Sequence, residues 1–233
     1  MRFSVVIPTL DEASQVRGAI LSARNALGRD CEVLVVDGGS RDGTRQVASA
    51  AGARLLGVSG GRGEQLRAGA AAAAGDVVVL LHADTRLPAA AADAIQEVLA
   101  DSRIIAGAFR LSFGSEARAA PLALRLLARF ITLRSLLFRT ATGDQAIFAR
   151  TEALRRIGGV PRVPLFEDVR LYQKLRRSGR VRLVRAAVTT SGRRWRAHGT
   201  ARVILLHLLL RLAHGIGVAP DRLARWYAHA DAR

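Results

Sequence analysis

The chain has 233 residues and a formal charge of +17, from 36 Lys and Arg against 19 Asp and Glu. Half of the residues are apolar, which excludes intrinsic disorder and allows one domain with a sizeable core. The lone Cys31 excludes an internal disulfide and sits in an apolar run as a core residue.

No run reaches the roughly 18 apolar residues of a membrane span, and the opening segment 1–8 is broken too early for a signal peptide, so a cytoplasmic setting is expected. The arginine excess draws polyanions such as phosphorylated substrates, an anionic membrane surface or nucleic acid. An arginine-rich coding bias gives the same excess, so charge alone names no partner.

In chain order, short apolar runs alternate with helical patterns. Strands are predicted at 3–7, 32–36, 54–58 and 77–81, with helices at 12–27, 44–51, 62–74 and 89–100. The second and fourth runs are rich in Val and Leu without alternation, as strands buried on both faces require. This rhythm predicts an α/β fold, a mostly parallel sheet with helices on both faces. Further on, the pattern predicts a longer strand at 104–113, a Leu- and Arg-rich helix at 121–138, and a short strand at 144–149. A helix follows Thr151, and a loop with Gly158, Gly159, Pro161 and Pro164 leads to Glu167 and Asp168. No linker marks a second domain. The chain reads as one unit, 1–100 forming one half and 101–233 the other.

Ligands of open parallel sheets bind beyond the carboxyl ends of the strands. Asp37 ends the second strand, and Asp84 follows the fourth in His82-Ala83-Asp84. A carboxylate there caps a helix, binds a cation or accepts ligand hydrogen bonds. Asp37 alone also fits a turn in Asp-Gly-Gly-Ser, and Asp84 a cap for the helix after Pro88. Gly60-Gly61-Arg62-Gly63-Glu64-Gln65 opens a helix either as an ordinary turn or as a set of N–H groups and positive charge that suits phosphate, and Arg67 lies one turn on. Arg193-Arg194-Trp195-Arg196 reads as a diphosphate clamp or as a solvated basic loop.

Three stretches, Val6-Ile7-Pro8-Thr9-Leu10-Asp11-Glu12, Val35-Val36-Asp37-Gly38-Gly39-Ser40-Arg41-Asp42-Gly43-Thr44 and Leu80-Leu81-His82-Ala83-Asp84, together resemble a family 2 glycosyltransferase of the GT-A fold. Gly143-Asp144-Gln145, Glu167-Asp168 and Arg193-Arg194-Trp195 extend the likeness, which is nearest to the compact "transferase 2, rSAM/selenodomain-associated" subgroup. The resemblance implies that Pro8, Thr9 and Glu12 line a nucleotide pocket and that Asp37 bonds the base. Gly39, Arg62, Gln65, Arg67, His82 and Ala83 would complete the nucleotide-sugar site.

By the same likeness Asp84 would hold Mg²⁺ or Mn²⁺ against the donor diphosphate. Asp168 would be the general base, with Glu167 beside it. Asp144, Gln145, Arg193, Arg194 and Trp195 would face the sugar or acceptor. One departure stands out: where the family often presents a first aspartate of the metal motif, this chain has His82.

The implied activity is inverting transfer from a UDP- or GDP-sugar to a hydroxyl-bearing acceptor. A sugar nucleotidyltransferase would need a Gly- and Arg-rich loop after the first strand, where this chain has Pro8-Thr9-Leu10-Asp11-Glu12. A non-enzymatic cationic module would leave the carboxylates without purpose, so no nucleic-acid partner is expected. The 121–138 helix carries interleaved arginines, and the leucine run at 203–212 carries only His207 and Arg211. Arg118, Arg125 and Arg129 share one side and Arg134 lies nearly opposite, which suits either a core helix or an anionic lipid surface and a lipid-linked acceptor.

Overall fold

The structure is a computed structural model that describes residues 1–113 and 122–191 and the isolated positions 209, 213, 218, 222, 223 and 226. Arg118, Arg193, Arg194, Trp195 and most of the 203–212 run lie outside the described residues. Eight strands form one sheet: β1 (Phe3–Thr9), β2 (Glu32–Asp37), β3 (Arg54–Gly57), β4 (Val77–Leu80), β5 (Thr85–Arg86), β6 (Ile104–Phe113), β7 (Phe148–Arg150) and β8 (Arg180–Thr190). Their order is β3-β2-β1-β4-β7-β6-β8-β5. The first four run parallel, β7 is antiparallel to both neighbours, β6 and β8 are parallel, and β5 closes antiparallel on β8.

Helices α1 (Ala13–Leu27), α2 (Thr44–Ala50), α3 (Arg62–Ala72) and α4 (Ala91–Leu99) connect the first strands, and α5 (Leu122–Phe138), α6 (Thr151–Arg156) and α7 (Glu167–Ser178) follow. Alternate residues of the central strands feed two cores, one on each face. Val5, Ile7, Val33 and Val35 pack with α1 and α4, whereas Val6, Leu34 and Val36 pack with α3 and α7. This is what strands with no polar alternation dictate, because both faces must be covered. At Gly69 of α3 an added Cβ would overlap the side chains of Val6 and Val36, so only glycine lets α3 lie this close to the sheet. That approach sets the start of α3 over the strand ends.

Two expectations are corrected. The strand predicted at 144–149 is instead a 3-10 turn, Gly143–Gln145, followed by β7. Thr142 and Gln145 form a reciprocal capping box that closes the turn, and this local bonding outcompetes the ladder. The basic stretch that starts at Arg193 is expected to follow a short strand and a turn at Gly192, and that strand is the 11-residue β8, which pairs along β6 with two register shifts. The other boundaries agree to within two residues. Cys31 is buried, as its apolar setting requires.

Candidate active site

Pro8 and Thr9 pair in register with Val36 and Asp37, so the tips of β1 and β2 lie side by side. Asp37 is almost fully buried. Its Oδ1 accepts hydrogen bonds from Thr9 Oγ1 (3.2 Å) and Ser40 Oγ, and its Oδ2 accepts from the N–H groups of Gly39 and Ser40 (3.1 Å each). Burial alone would push the carboxyl upward. The Ser40 hydroxyl and the N–H groups of Ser40 and Gly39, with Thr9, outweigh it and hold the pKa below the usual range.

The loop after β1 is latched to the loop after β2. Ser40 Oγ accepts from the Asp11 N–H (2.9 Å), Asp11 Oδ1 from the Arg41 N–H (2.8 Å), Thr44 Oγ1 from the Glu12 N–H (2.8 Å), and Asp42 Oδ2 from the Ala13 N–H (2.9 Å). The sequence reading passed over Ser40, Asp11, Asp42 and Thr44 as shapers of this pocket. The signal was present in the Asp-Gly-Gly-Ser turn, since Ser and Asp at such spacings bond nearby main chain.

Gln65 donates both amide N–H groups to main chain, to the carbonyls of Thr9 (2.7 Å) and Val36 (2.9 Å), and so ties the tips of β1 and β2. Arg62 pairs with the buried Glu167 across 105 residues of chain. Arg67 pairs with Glu64 (2.8 Å). Gln145 is fully buried; its Oε1 accepts from Ser135 Oγ (3.0 Å) and the Thr142 N–H (3.1 Å), and its Nε2 donates to the Phe109 carbonyl (3.1 Å). These side chains hold the frame of the site.

A second group gathers at the end of β4. His82-Ala83-Asp84 turns the chain into β5; Asp84 Oδ1 accepts from Thr85 Oγ1 at 3.3 Å, and its carbonyl from the Ser191 N–H at 3.1 Å. Asp168, in the first turn of α7, accepts from the Gly143 N–H (2.6 Å) through Oδ2 and from the Val169 N–H (2.7 Å) through Oδ1. A Cβ added at Gly143 would stand 2.5 Å from His82 Nε2 and 3.3 Å from Asp168 Oδ2, so glycine permits this approach. Burial and the Arg62 charge push the His82 pKa down, against the upward pull of Asp84, Asp144 and Asp168. Three carboxylates, Asp84, Asp144 and Asp168, surround this imidazole.

Within that ring, His82 Nε2 and Asp144 Oδ1 are buried with no hydrogen-bond partner. Two non-glycine residues with left-handed backbone, Ala146 (φ 45°) and Phe166 (φ 64°), flank it directly after Gln145 and before Glu167. Such strain gathers where a ligand site constrains the chain. Since β1 lies between β2 and β4, Asp37 and the His82 group stand two strand spacings apart, roughly 10 Å, on one edge of the sheet.

The sequence matches the profile of glycosyl transferase family 2 over residues 4–158, about two thirds of its length. The chain belongs to that family. Among curated proteins it is 37% identical over 92 residues to the glucosyl-3-phosphoglycerate synthase of Mycolicibacterium paratuberculosis, a match spanning 35% of this chain and 28% of that enzyme.

Many solved structures share the fold, two of them determined with a nucleotide or nucleotide-sugar and Mn²⁺. Glucosyl-3-phosphoglycerate synthase from Mycobacterium tuberculosis, determined with Mn²⁺, UDP and phosphoglyceric acid, superposes with a TM-score of 0.60 at 24% identity, covering 81% of this chain and 70% of that one. A mannosyltransferase from Pyrobaculum calidifontis, determined with GDP-mannose and Mn²⁺, gives 0.65 at 20% identity, covering 98% and 69%. The fold of this family 2 chain is therefore GT-A, with the mixed sheet described above.

The residues present fit a divalent cation of modest protein ligation. Among the described residues no three His, Cys, Asp or Glu side chains form a complete ion cage. Mg²⁺ commonly takes one or two carboxylates and fills its shell with phosphate and water. Asp84 beside the unpartnered His82 Nε2 and Asp144 Oδ1 offers that kind of incomplete set.

Proposed function

We propose that the protein is an inverting glycosyltransferase that moves a sugar from a UDP- or GDP-sugar to a hydroxyl-bearing acceptor. One observation carries the reading: the Gly143 turn brings His82, at the end of β4, together with Asp168, on the sheet edge where Asp37 stands. The nucleotide lies across the tips of β1 and β2, in the half formed by residues 1–100. There Pro8, Thr9, Glu12 and Gly39 form the walls and Asp37, held anionic, meets the base. The latch between the two loops keeps that pocket shaped before the donor arrives.

Mg²⁺ or Mn²⁺ bound at Asp84 would neutralise charge that gathers on the diphosphate as the glycosidic bond breaks. The protein's own groups do the rest. Asp168 takes the proton of the attacking hydroxyl, and the Gly143 and Val169 N–H groups hold its carboxylate in place. Each of its oxygens keeps a lone pair for that proton. Glu167 fixes Arg62 at the start of α3, on the phosphate side. Asp144, with an oxygen still unpartnered, receives a hydroxyl of sugar or acceptor. A single displacement with one base inverts the anomeric centre. The chain's resemblance to proteins solved with UDP or GDP-mannose and Mn²⁺ supports this donor class.

A thermal-shift screen of UDP-, GDP- and dTDP-sugars with and without Mn²⁺ tests the proposal. A ligand that favours the native state raises the apparent melting temperature, so one donor should do so in a metal-dependent way. Failure of every nucleotide-sugar to shift the transition would remove the donor site.

A further inference from the structure

Helix α5 buries Leu124, Leu127, Ala128, Ile131 and Ser135 against the protein. On its other side Leu122, Leu126, Phe130, Leu133 and Leu137 are 53–68% exposed. At 100° per residue these five fall within about 80° of one another and roughly opposite the buried face. Exposed Arg125 and Arg129 border this stripe along one side, and Leu136 and Phe138 are also exposed at the end of the helix. α5 contains no acidic residue. At its C-terminal end Arg176 donates to the carbonyl of Phe138 (2.9 Å), and Arg139, Arg176 and Arg177 are exposed there.

An apolar stripe of this size on a globular protein marks an interaction surface. We infer that α5 is an interfacial helix by which the protein docks on an anionic lipid bilayer. Charge decides the occupant. A second copy would bring the same arginine border and its own share of a +17 chain against this one, which self-repulsion opposes. An anionic leaflet instead rewards each border arginine while the leucines and phenylalanines enter the headgroup boundary. The helix lies on the bilayer and does not cross it, since among the described residues no helix is long and apolar enough to span.

The inward face of α5 touches the candidate site. Ser135 donates to Gln145, the neighbour of Asp144 in the 3-10 turn. Docking therefore fixes that turn about one helix diameter, ~10 Å, from the lipid surface. An acceptor reaching the site from that side is a lipid-linked hydroxyl compound.

Docking is independent of the transferase reading, and co-sedimentation of the full chain with vesicles separates the two. The protein should pellet with phosphatidylglycerol–phosphatidylcholine vesicles at low salt and stay in solution with phosphatidylcholine alone. Leu126→Glu/Phe130→Glu should reduce that binding by at least about tenfold. Arg125→Gln/Arg129→Gln should reduce it by roughly tenfold and flatten its salt dependence. Both pairs lie on exposed positions, so circular dichroism and solution donor binding should stay at wild-type values; a misfolded glutamate pair leaves the glutamine pair to decide. Absence of binding to anionic vesicles would overturn the inference, as would wild-type binding by both pairs. A dimer in analytical ultracentrifugation that the glutamate pair dissolves would assign the stripe to a second copy instead.

Discussion

Asp37 and Asp144 are carboxylates on the same edge of one sheet, yet the protein treats them in opposite ways. Asp37 accepts four hydrogen bonds, two of them from main-chain N–H groups, and its surroundings are complete without a ligand. Asp144 keeps one buried oxygen with no partner, beside a His82 nitrogen in the same condition. An unmet buried polar atom costs stability that a satisfied one does not. The first region is therefore satisfied within the chain, and the second leaves two buried polar atoms unmet.

The largest expected effect lies on the unmet side. Asp168→Asn should lower kcat by about 10²–10⁴ while leaving donor affinity near wild type, as loss of a general base does. Steady-state kinetics beside donor titration measure both, and retained turnover would free Asp168 from that role. Next, Asp84→Ala should weaken donor binding roughly ten- to a hundredfold with Mn²⁺ present. With a chelator the two proteins should bind alike; a defect that persists there would separate Asp84 from the cation.

Stability then distinguishes the two carboxylates directly. Asp37→Ala strands two N–H groups and two hydroxyls and should cost about 2 kcal/mol, or roughly 4–8 °C in Tm. Asp144→Ala strands nothing at its unpartnered oxygen and should shift Tm far less, within about 0.5 kcal/mol. Equal losses by calorimetry would erase the contrast.

The smallest effect concerns His82, whose pKa is pushed below 6.5 chiefly by burial and by Arg62. The unfolded chain then takes up a proton that the folded site resists. Stability from this group is present above about pH 6.5 and declines as pH falls below it, by at most about 1.4 kcal/mol per pH unit. Melting curves between pH 7.5 and 5 should slope less for His82→Gln, and parallel slopes would show that His82 titrates normally.

Much of the frame was legible because its signals are local. Strand and helix periods gave β1 to β4 and α1 to α4 but not the two-residue β5, and the ends of Val- and Leu-rich runs put Asp37 and Asp84 on one edge of the sheet. Asp168 stood in a stretch whose spacing said loop, and only the likeness to a family singled it out. The turn at Gly143–Gln145 misled because Asp-Gln followed by Ala-Ile-Phe-Ala reads as extended chain until Gln145 folds back onto Thr142.

The sequence by itself determined the α/β alternation, the two-sided burial of the strands and the acidic residues that stand on one edge of the sheet. Only the tertiary structure decided which polar groups are already spent. Gln65 on Thr9, Arg62 on Glu167 and Gly143 on Asp168 are bonds across 56, 105 and 25 residues of chain. Hydrogen bonds reach about 3 Å whatever the separation in sequence, so no reading along the chain could tell the satisfied carboxylate from the waiting one.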